Sequence, residues 1–392
     1  MPHAKLNQIA FGAVVLLGIG AAPLANAQAY TFTLLDTLGG GYATGINNAG
    51  QVVGVSLGMP NHQPAATIWN GTTASDLGTL GGAYGYAAGI NDVGQVAGFS
   101  TPRALNGNRR ATLWNPGITD LGTLGGTYSF GFAINNTGQV AGLAYLTGNT
   151  VYHASVWNTT GGTVTDIDPS GTFSEAHAIN NVGQVAGQSY VAGNTAYHAT
   201  FWDAGSTTFT DLGTLGGTNS SARDINDAGL VVGFSGHAGD RQGHATLWDT
   251  NTNEIIDLAP SDWSSFAFAI GEDSQVVGQS CNTVGCGEAA FHATLWKGDT
   301  EIDLNTVLGN DKDGWTLQTA YGINDREQIV GQALKGGNTS AFLLTFCDSC
   351  SVFVPPPPPP IPEPSTYALL LAGLGLLGYV ARRKNREAKP SG

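Results

Sequence analysis

The chain repeats itself seven times. An Ile-Asn pair recurs at Ile46, Ile90, Ile134, Ile179, Ile225 and Ile323, with a degenerate copy at Ile270-Gly271. Successive isoleucines lie 44, 44, 45, 46, 45 and 53 residues apart. Tryptophan keeps the same beat at Trp69, Trp114, Trp157, Trp202, Trp248 and Trp296, and Leu344 takes its place in the seventh copy. A unit this short cannot bury both of its faces alone, so it must stack on its neighbours. Two independent markers with one period therefore point to a repeat architecture.

Each copy breaks into four short apolar segments, a to d. In the third copy a is "SFGFAIN", b is "QVAGLAY", c is "HASVWN" and d closes on "TDID"; elsewhere c reads "HATLW" and d ends "TDLG". All four have the length of a strand and are too short for an ordinary helix. Between a and b lie turns such as "NNTG" and "NDVG", whose Asn, Asp and Gly tolerate left-handed backbone angles. Between c and d lie "NPG" (Asn115–Gly117) and "KGD" (Lys297–Asp299), while the b–c connection varies in length. "TLGG" falls where the outer strand of one unit returns to the inner strand of the next, and its glycines permit a tight crossing near the axis.

Four strands every 45 residues or so predict an all-β, seven-bladed β-propeller over residues 28–350. The alternative is an open solenoid of stacked hairpins. The ends separate the two. The segment "YTFTLLDTLGG" (Tyr30–Gly40) is a d strand with no a, b or c before it. The last copy runs through a (Thr319–Asn324), b (Gln328–Gln332) and c (Ser340–Phe346) and lacks d. A ring whose N-terminal strand completes the last blade uses both facts and hides two sheet edges.

The flanks differ in composition. Residues 1–27 read as a signal peptide: Lys5, an apolar run over Ile9–Gly20, and small residues Ala25 and Ala27 at the cleavage site. Export sets the reading of the cysteines. Cys281/Cys286 and Cys347/Cys350 are close pairs that an oxidising compartment would close into small-loop disulfides. A redox role for Cys347-Asp-Ser-Cys350 would need a βαβ setting that the sequence does not offer. Residues 351–365 form a proline-rich linker, residues 366–381 ("TYALLLAGLGLLGYVA") a short transmembrane helix, and residues 382–392 a basic cytoplasmic tail. Read on its own, this is a single-pass anchor that holds the ring outside the cell.

The same layout resembles the PEP-CTERM sorting signal. Pro362, Glu363 and Pro364 precede the apolar run, and Arg382, Arg383 and Lys384 follow it; a short extension, "EAKPSG", comes after the Arg cluster. The resemblance implies a Gram-negative host that makes exopolysaccharide and a membrane sorting enzyme, exosortase, as partner. It also implies removal of the tail near Pro-Glu-Pro, so that membrane anchoring is transient and the ring reaches the cell surface or biofilm matrix. The repeats resemble the HAF family of extracellular repeats, whose elements stand here as "DLGTLGG", "AINNTGQVAG" and "HATLW". That resemblance implies an exported protein and carries over no activity.

Between Gln28 and Val354 there are 9 Lys and Arg against 27 Asp and Glu, a formal charge of −18. Nucleic acid is thereby excluded as a partner. Four histidines, His153, His198, His244 and His292, share one repeat position at the start of c. Such a ring would bind metal only if it lined the channel; the simpler reading is a local hydrogen bond in each blade. The turns at Asn91-Asp92 and Asn226-Asp227 offer oxygen ligands, but one carboxylate per turn falls short of the six to eight oxygens that calcium takes. We therefore expect no metal site and no cofactor, with calcium as the one ion these turns would admit. Glu175, Asp224, Glu272 and Asp273 are scattered along the chain, and no nucleophile elbow, zinc motif or phosphate-binding loop is present. The sixth copy departs most from the repeat, at "AIGEDSQ" and the cysteine loop.

The expectation is a non-catalytic, surface-sorted propeller that binds or organises extracellular polysaccharide or a surface protein. Exposed Tyr145, Tyr152, Tyr190 and Tyr197 would stack on sugar faces. The alternatives are a glycan-active propeller enzyme, a hydrolase or lyase, and a purely structural matrix protein.

Overall fold

The computed structural model describes residues 30–347, apart from 38, 59–63, 104–106, 192, 194, 240–242, 262–263, 282, 284–285, 288–289 and 309–311. The chain divides into two compact units, Met1–Cys350 and Ser351–Gly392, and every described residue belongs to the first. Ala25, Ala27, Cys350, the Pro-Glu-Pro segment, the apolar run and the basic cluster lie outside the described residues. No helix among the described residues is long and apolar enough to cross a membrane.

Strand β1 (Tyr30–Leu34) comes first. Blade one is β2 (Gly41–Ile46), β3 (Val52–Ser56), β4 (Ala65–Asn70) and β5 (Thr73–Asp76). Blade two is β6 (Gly81–Ile90), β7 (Val96–Pro102), β8 (Arg110–Asn115) and β9 (Gly117–Asp120). Blade three is β10 (Gly125–Ile134), β11 (Gln139–Leu146), β12 (Tyr152–Asn158) and β13 (Thr163–Asp166). Blade four is β14 (Ser174–Ile179), β15 (Val185–Tyr190), β16 (Tyr197–Trp202) and β17 (Phe209–Asp211). Blade five is β18 (Gly216–Ile225), β19 (Leu230–His237), β20 (Gly243–Asp249) and β21 (Glu254–Asp257). Blade six is β22 (Ser264–Ile270), β23 (Val276–Cys281), β24 (His292–Lys297) and β25 (Thr300–Asp303). Blade seven is β26 (Thr316–Ile323), β27 (Ile329–Lys335) and β28 (Asn338–Phe346), completed by β1.

Each blade is a four-stranded antiparallel meander, and the sheet order β1-β28-β27-β26 closes the ring with the N-terminal strand. The fold is the seven-bladed propeller that the end phasing predicts. Successive a strands touch one another around the ring, including β26 against β2, so they form the inner wall.

Seven apolar cores lie between the blades rather than within them. In each, the Ile, Val and Trp of one blade (Ile323, Ile329 and Leu344 in the last) meet alanines and other apolar residues of the preceding blade. Ile134, Val140 and Trp157 pack on Ala97 and Ala111, and Ile179, Val185 and Trp202 pack on Ala141 and Ala154. The same arrangement joins blade seven to blade one, where Val330 and Ala341 meet Ile46, Val52 and Trp69. The tryptophans are 0–4% exposed, so each contributes roughly 1.5–3 kcal/mol or more by burial.

One irregularity repeats in every blade and decides what faces the channel. Strand a carries a β-bulge against strand b, and one residue has no partner: Thr44, Ala88, Phe132, His177, Arg223, Phe268 or Tyr321. The bulge drives a carbonyl of strand a into strand b. A Cβ on the facing residue would sit 1.9–2.2 Å from that oxygen, and so all seven copies have glycine there: Gly54, Gly98, Gly142, Gly187, Gly233, Gly278 and Gly331. The glycine of "VxG" in each b segment ("IVG" in the seventh) is thus the signature of the bulge. At "TLGG" the second of the paired glycines presses on strand b of its own blade, Gly82 on Thr101 and Gly126 on the Tyr145 carbonyl. The close approach between inner strands occurs instead one residue before the isoleucine, where Gly322 would bring a Cβ to 3.4 Å from the Gly45 Cα.

Candidate functional site

The a–b turns build one mouth of the channel. The Asn after each isoleucine caps its own turn and donates across to the next blade. Asn47 Nδ2 reaches the Asn91 carbonyl at 3.0 Å, and Asn91, Asn135, Asn180, Asn226 and Asn324 repeat the bond at 2.9–3.3 Å. The seventh link is missing because Gly271 replaces Asn. There Asp273 accepts from the Gln275 N–H in place of the absent amide.

A second ring lies outside the first. The backbone N–H of Asn48 donates to Asp92, Asp92 to Asn136, Asn136 to Asn181, Asn181 to Asp227, Asp227 to Glu272, and Asp325 to Asn48. The carboxylates of the "NDxG" turns therefore clamp neighbouring blades, and among the described residues no group of three or more His, Cys, Asp or Glu is placed to hold a metal ion. Asp224 also lines this mouth. Its carboxylate accepts from Ile225 N–H and, across the blade gap, from Ile270 N–H, both at 2.9 Å. Burial pushes its pKa up to about 7 despite those bonds, with Glu272 adding to the rise. Burial raises Glu272 as well, reinforced by Asp227 and Asp325.

The opposite part of the channel is a cavity of about 500 Å³. The bulge residues line it together with Tyr42, Tyr86, Phe99 and Glu175. Rings cover most of the wall: Tyr86 stacks on Phe99 at 4.8 Å, Phe268 meets Tyr321 at 5.2 Å and Tyr42 meets Tyr321 at 6.0 Å between centroids. Burial raises the Tyr42, Tyr86 and Tyr321 phenols above their ordinary range, so they stay neutral.

Blades four and five break the symmetry with charge. His177 Nε2 lies 2.9 Å from Glu175, His177 Nδ1 lies 2.7 Å from the Ala222 carbonyl, and Tyr152 donates to Glu175 at 3.1 Å. Burial works to raise the Glu175 pKa, but His177, Tyr152 and Arg223 together hold it below the usual carboxylate range. Arg223 has no hydrogen-bond partner among the described residues, and its Nε is buried. Its guanidinium packs 5.6 Å from the Phe234 ring centre. Burial lowers its pKa, opposed by Glu175 and Tyr197, yet a guanidinium stays charged at any working pH.

The residues singled out by sequence fall in several places. His153, His198, His244 and His292 leave the channel alone; each pairs with the Asp that ends strand d of its blade, at 2.8–3.0 Å. Arg110 does the same with Asp120. Tyr145, Tyr152, Tyr190 and Tyr197 are half-buried rather than exposed. With Phe173 they form one strip across blades three and four, with neighbouring ring centres 5.0–6.1 Å apart. Asp224 and Glu272 share one mouth while Glu175 lies in the other cavity. Cys281 and Cys286 form a disulfide, and Cys347 is also disulfide-bonded.

Sequence reading missed Arg223, His177 and the aromatic wall. Their signal is the position two before each isoleucine, which reads Thr, Ala, Phe, His, Arg, Phe and Tyr in an otherwise uniform frame.

Residues 360–384 match the PEP-CTERM protein-sorting motif. No curated protein sequence matches the chain. Among solved structures, the chain is similar to the β-propeller domain of the Trilobed protease from Pyrococcus furiosus, at 10% identity and a TM-score of 0.52, over 78% of this chain and 93% of that one. An oligogalacturonate lyase from Vibrio parahaemolyticus gives 10% identity and a TM-score of 0.50 over 82% and 98%. A puromycin-hydrolysing peptidase from Mycobacterium tuberculosis gives 9% and 0.52 over 82% of this chain and 55% of that one. At such identities the likeness shows the fold alone. The chain is a β-propeller. Its sorting motif implies an exported, surface-sorted protein processed by exosortase.

Proposed function

We propose that this protein is a non-catalytic, surface-sorted propeller that binds extracellular polysaccharide in the aromatic cavity of its central channel. The observation that carries this reading is Arg223: a cation with no hydrogen-bond partner among the described residues, set in a cavity walled by tyrosine and phenylalanine. Aromatic faces suit the C–H faces of sugars, and an unpaired guanidinium in a concave site is a donor set awaiting a ligand.

The same residues argue against turnover. Glu175 is the one carboxylate among the residues that line this cavity, and glycoside hydrolysis ordinarily needs two flanking the bond. Both nitrogens of His177 are engaged, which leaves neither to take a substrate proton. The tyrosines, held neutral by burial, are poor bases. The repeats as HAF-type units and the exopolysaccharide setting belong to this reading too, through the residues quoted above.

The test is to mix the purified full chain with polysaccharide secreted by the producing cells, then measure binding and polymer length. Saturable binding to intact polymer, lost in Ala88→Trp because the indole fills the channel, supports the reading. Shortened polymer would establish the glycan-active enzyme instead. Absence of binding would leave a structural matrix protein.

A further inference from the structure

A second feature on blade two connects to the channel. Phe99 and Tyr86 line the channel cavity, and Tyr84 stacks on Phe99 at 5.9 Å. The Arg109 guanidinium caps this stack, 4.4 Å from the Tyr84 ring centre and 5.6 Å from that of Phe99. Tyr84 and Arg109 in turn line a shallow groove of about 420 Å³ together with Arg103. Neither arginine has an ion pair among the described residues. In a region with 9 cations against 27 acids, the b–c side of blade two holds Arg103, Arg109 and Arg110, and only Arg110 is paired, to Asp120. Ring contacts thus lead from the channel wall on blade two out to the groove where Arg109 and Arg103 stand, while Arg223 lines the same channel cavity from blade five.

We propose that channel and groove together hold a stretch of carboxylated polysaccharide, a uronate-type polymer with one carboxylate at Arg223 and a later one at Arg109. This rests on the polysaccharide-binding reading above and names the chemical class of its ligand. A planar guanidinium fork matches a carboxylate in two parallel hydrogen bonds, which satisfies donors the protein leaves open. A singly charged carboxylate suits the site better than a doubly charged phosphate, because Glu175 lines the same cavity as Arg223 and repels an anion in proportion to its charge. The aromatic wall of the cavity and the groove supplies the apolar surface against which the C–H faces of the intervening sugars lie.

The experiment compares four probes on the full chain at fixed salt: polygalacturonate, digalacturonate, neutral dextran and dextran sulfate. Polygalacturonate is expected to bind at least 10-fold more tightly than dextran. Arg223→Gln is expected to weaken polygalacturonate roughly 10- to 100-fold, the worth of a charged hydrogen-bonded pair, and to weaken dextran far less. Arg109→Ala, at the rim, is expected to weaken the polymer several-fold while a digalacturonate loses nothing. Melting curves of both variants establish that the ring still folds; should Arg223→Gln fail to fold, Arg109→Ala alone decides between polymer and dimer. Equal binding of dextran and polygalacturonate would overturn the inference and keep polysaccharide binding. Dextran sulfate binding as tightly as polygalacturonate would reduce the site to general polyanion attraction and overturn it too. Failure of all four, together with failure of the secreted polymer, would remove the functional reading itself.

Discussion

The two ends of the central channel are made by the same strands and have opposite characters. At the a–b turns, six of seven copies keep the Asn whose amide crosses to the next blade, and the residues beyond it are Asn, Asp or Glu in every copy. At the bulge, the seven copies supply seven side chains of six different kinds. A residue that repeats with the blade satisfies a requirement every blade has: a capped turn, a bond to the neighbour. A residue that differs among equivalent positions is released from that requirement and is free to suit a ligand. Arg223 and Glu175 are the clearest cases, because they bring charge to positions that are otherwise aromatic or small.

That contrast sets the order of expected effects. The largest belongs to the frame. Gly142→Val would force a Cβ onto the Phe130 carbonyl and is expected to cost about 4 kcal/mol or more, or to prevent folding; soluble yield and the thermal midpoint measure it. Next comes the ring of amides. Asn180→Ala removes bonds to Asn226 and to both backbone and side chain of Gln184, and is expected to cost about 2 kcal/mol in chemical denaturation.

Asp224 sharpens the comparison by pH. It occupies a position that is Gly or Ala in the other six copies. The unfolded chain releases this proton near pH 3.8 and the folded chain near 7, so the folded state holds the extra proton between those values. Stability from this group is therefore greatest at about pH 4 and declines as the pH rises through about 7. Asp224→Ala is expected to flatten that decline, as read from melting midpoints across pH 4–8. An equal slope in wild type and variant would show that Asp224 is not the source.

The smallest effects lie at the blade edges. His153 is 6% exposed and bonds both Asp166 and the Gly171 carbonyl, whereas His292 is 48% exposed and bonds Asp303 alone. His153→Ala is expected to cost roughly 2 kcal/mol and His292→Ala under about 1 kcal/mol. Similar costs for both would mean that the His–Asp pair itself, rather than its burial, holds strands c and d together.

Much of the frame was legible in the sequence. The blade count follows from Ile-Asn and Trp spacings, and the strand lengths follow from short apolar runs between Asn-Gly turns. Ring closure follows from a surplus d strand at the start and its absence at the end, as Tyr30–Leu34 beside Phe342–Phe346 bears out. These are local signals, set by side-chain alternation and turn chemistry, and each is read within one repeat. Even the bulge leaves a mark, the glycine of "VxG", though its meaning needs the structure.

The site is another matter. Which residue of strand a faces the channel depends on the bulge, since one extra residue changes the face of those that follow. Which side chains meet depends on closure. Glu175 and His177 come from blade four, Arg223 from blade five, Tyr321 from blade seven and Tyr86 from blade two, separated by up to 235 residues. The sequence determined the blades and their number, because a repeat must satisfy the same local physics seven times. Only the tertiary structure decided that one unpaired cation and a wall of rings share a cavity, because a channel exists nowhere in any single repeat and appears only when the seventh blade takes the first strand.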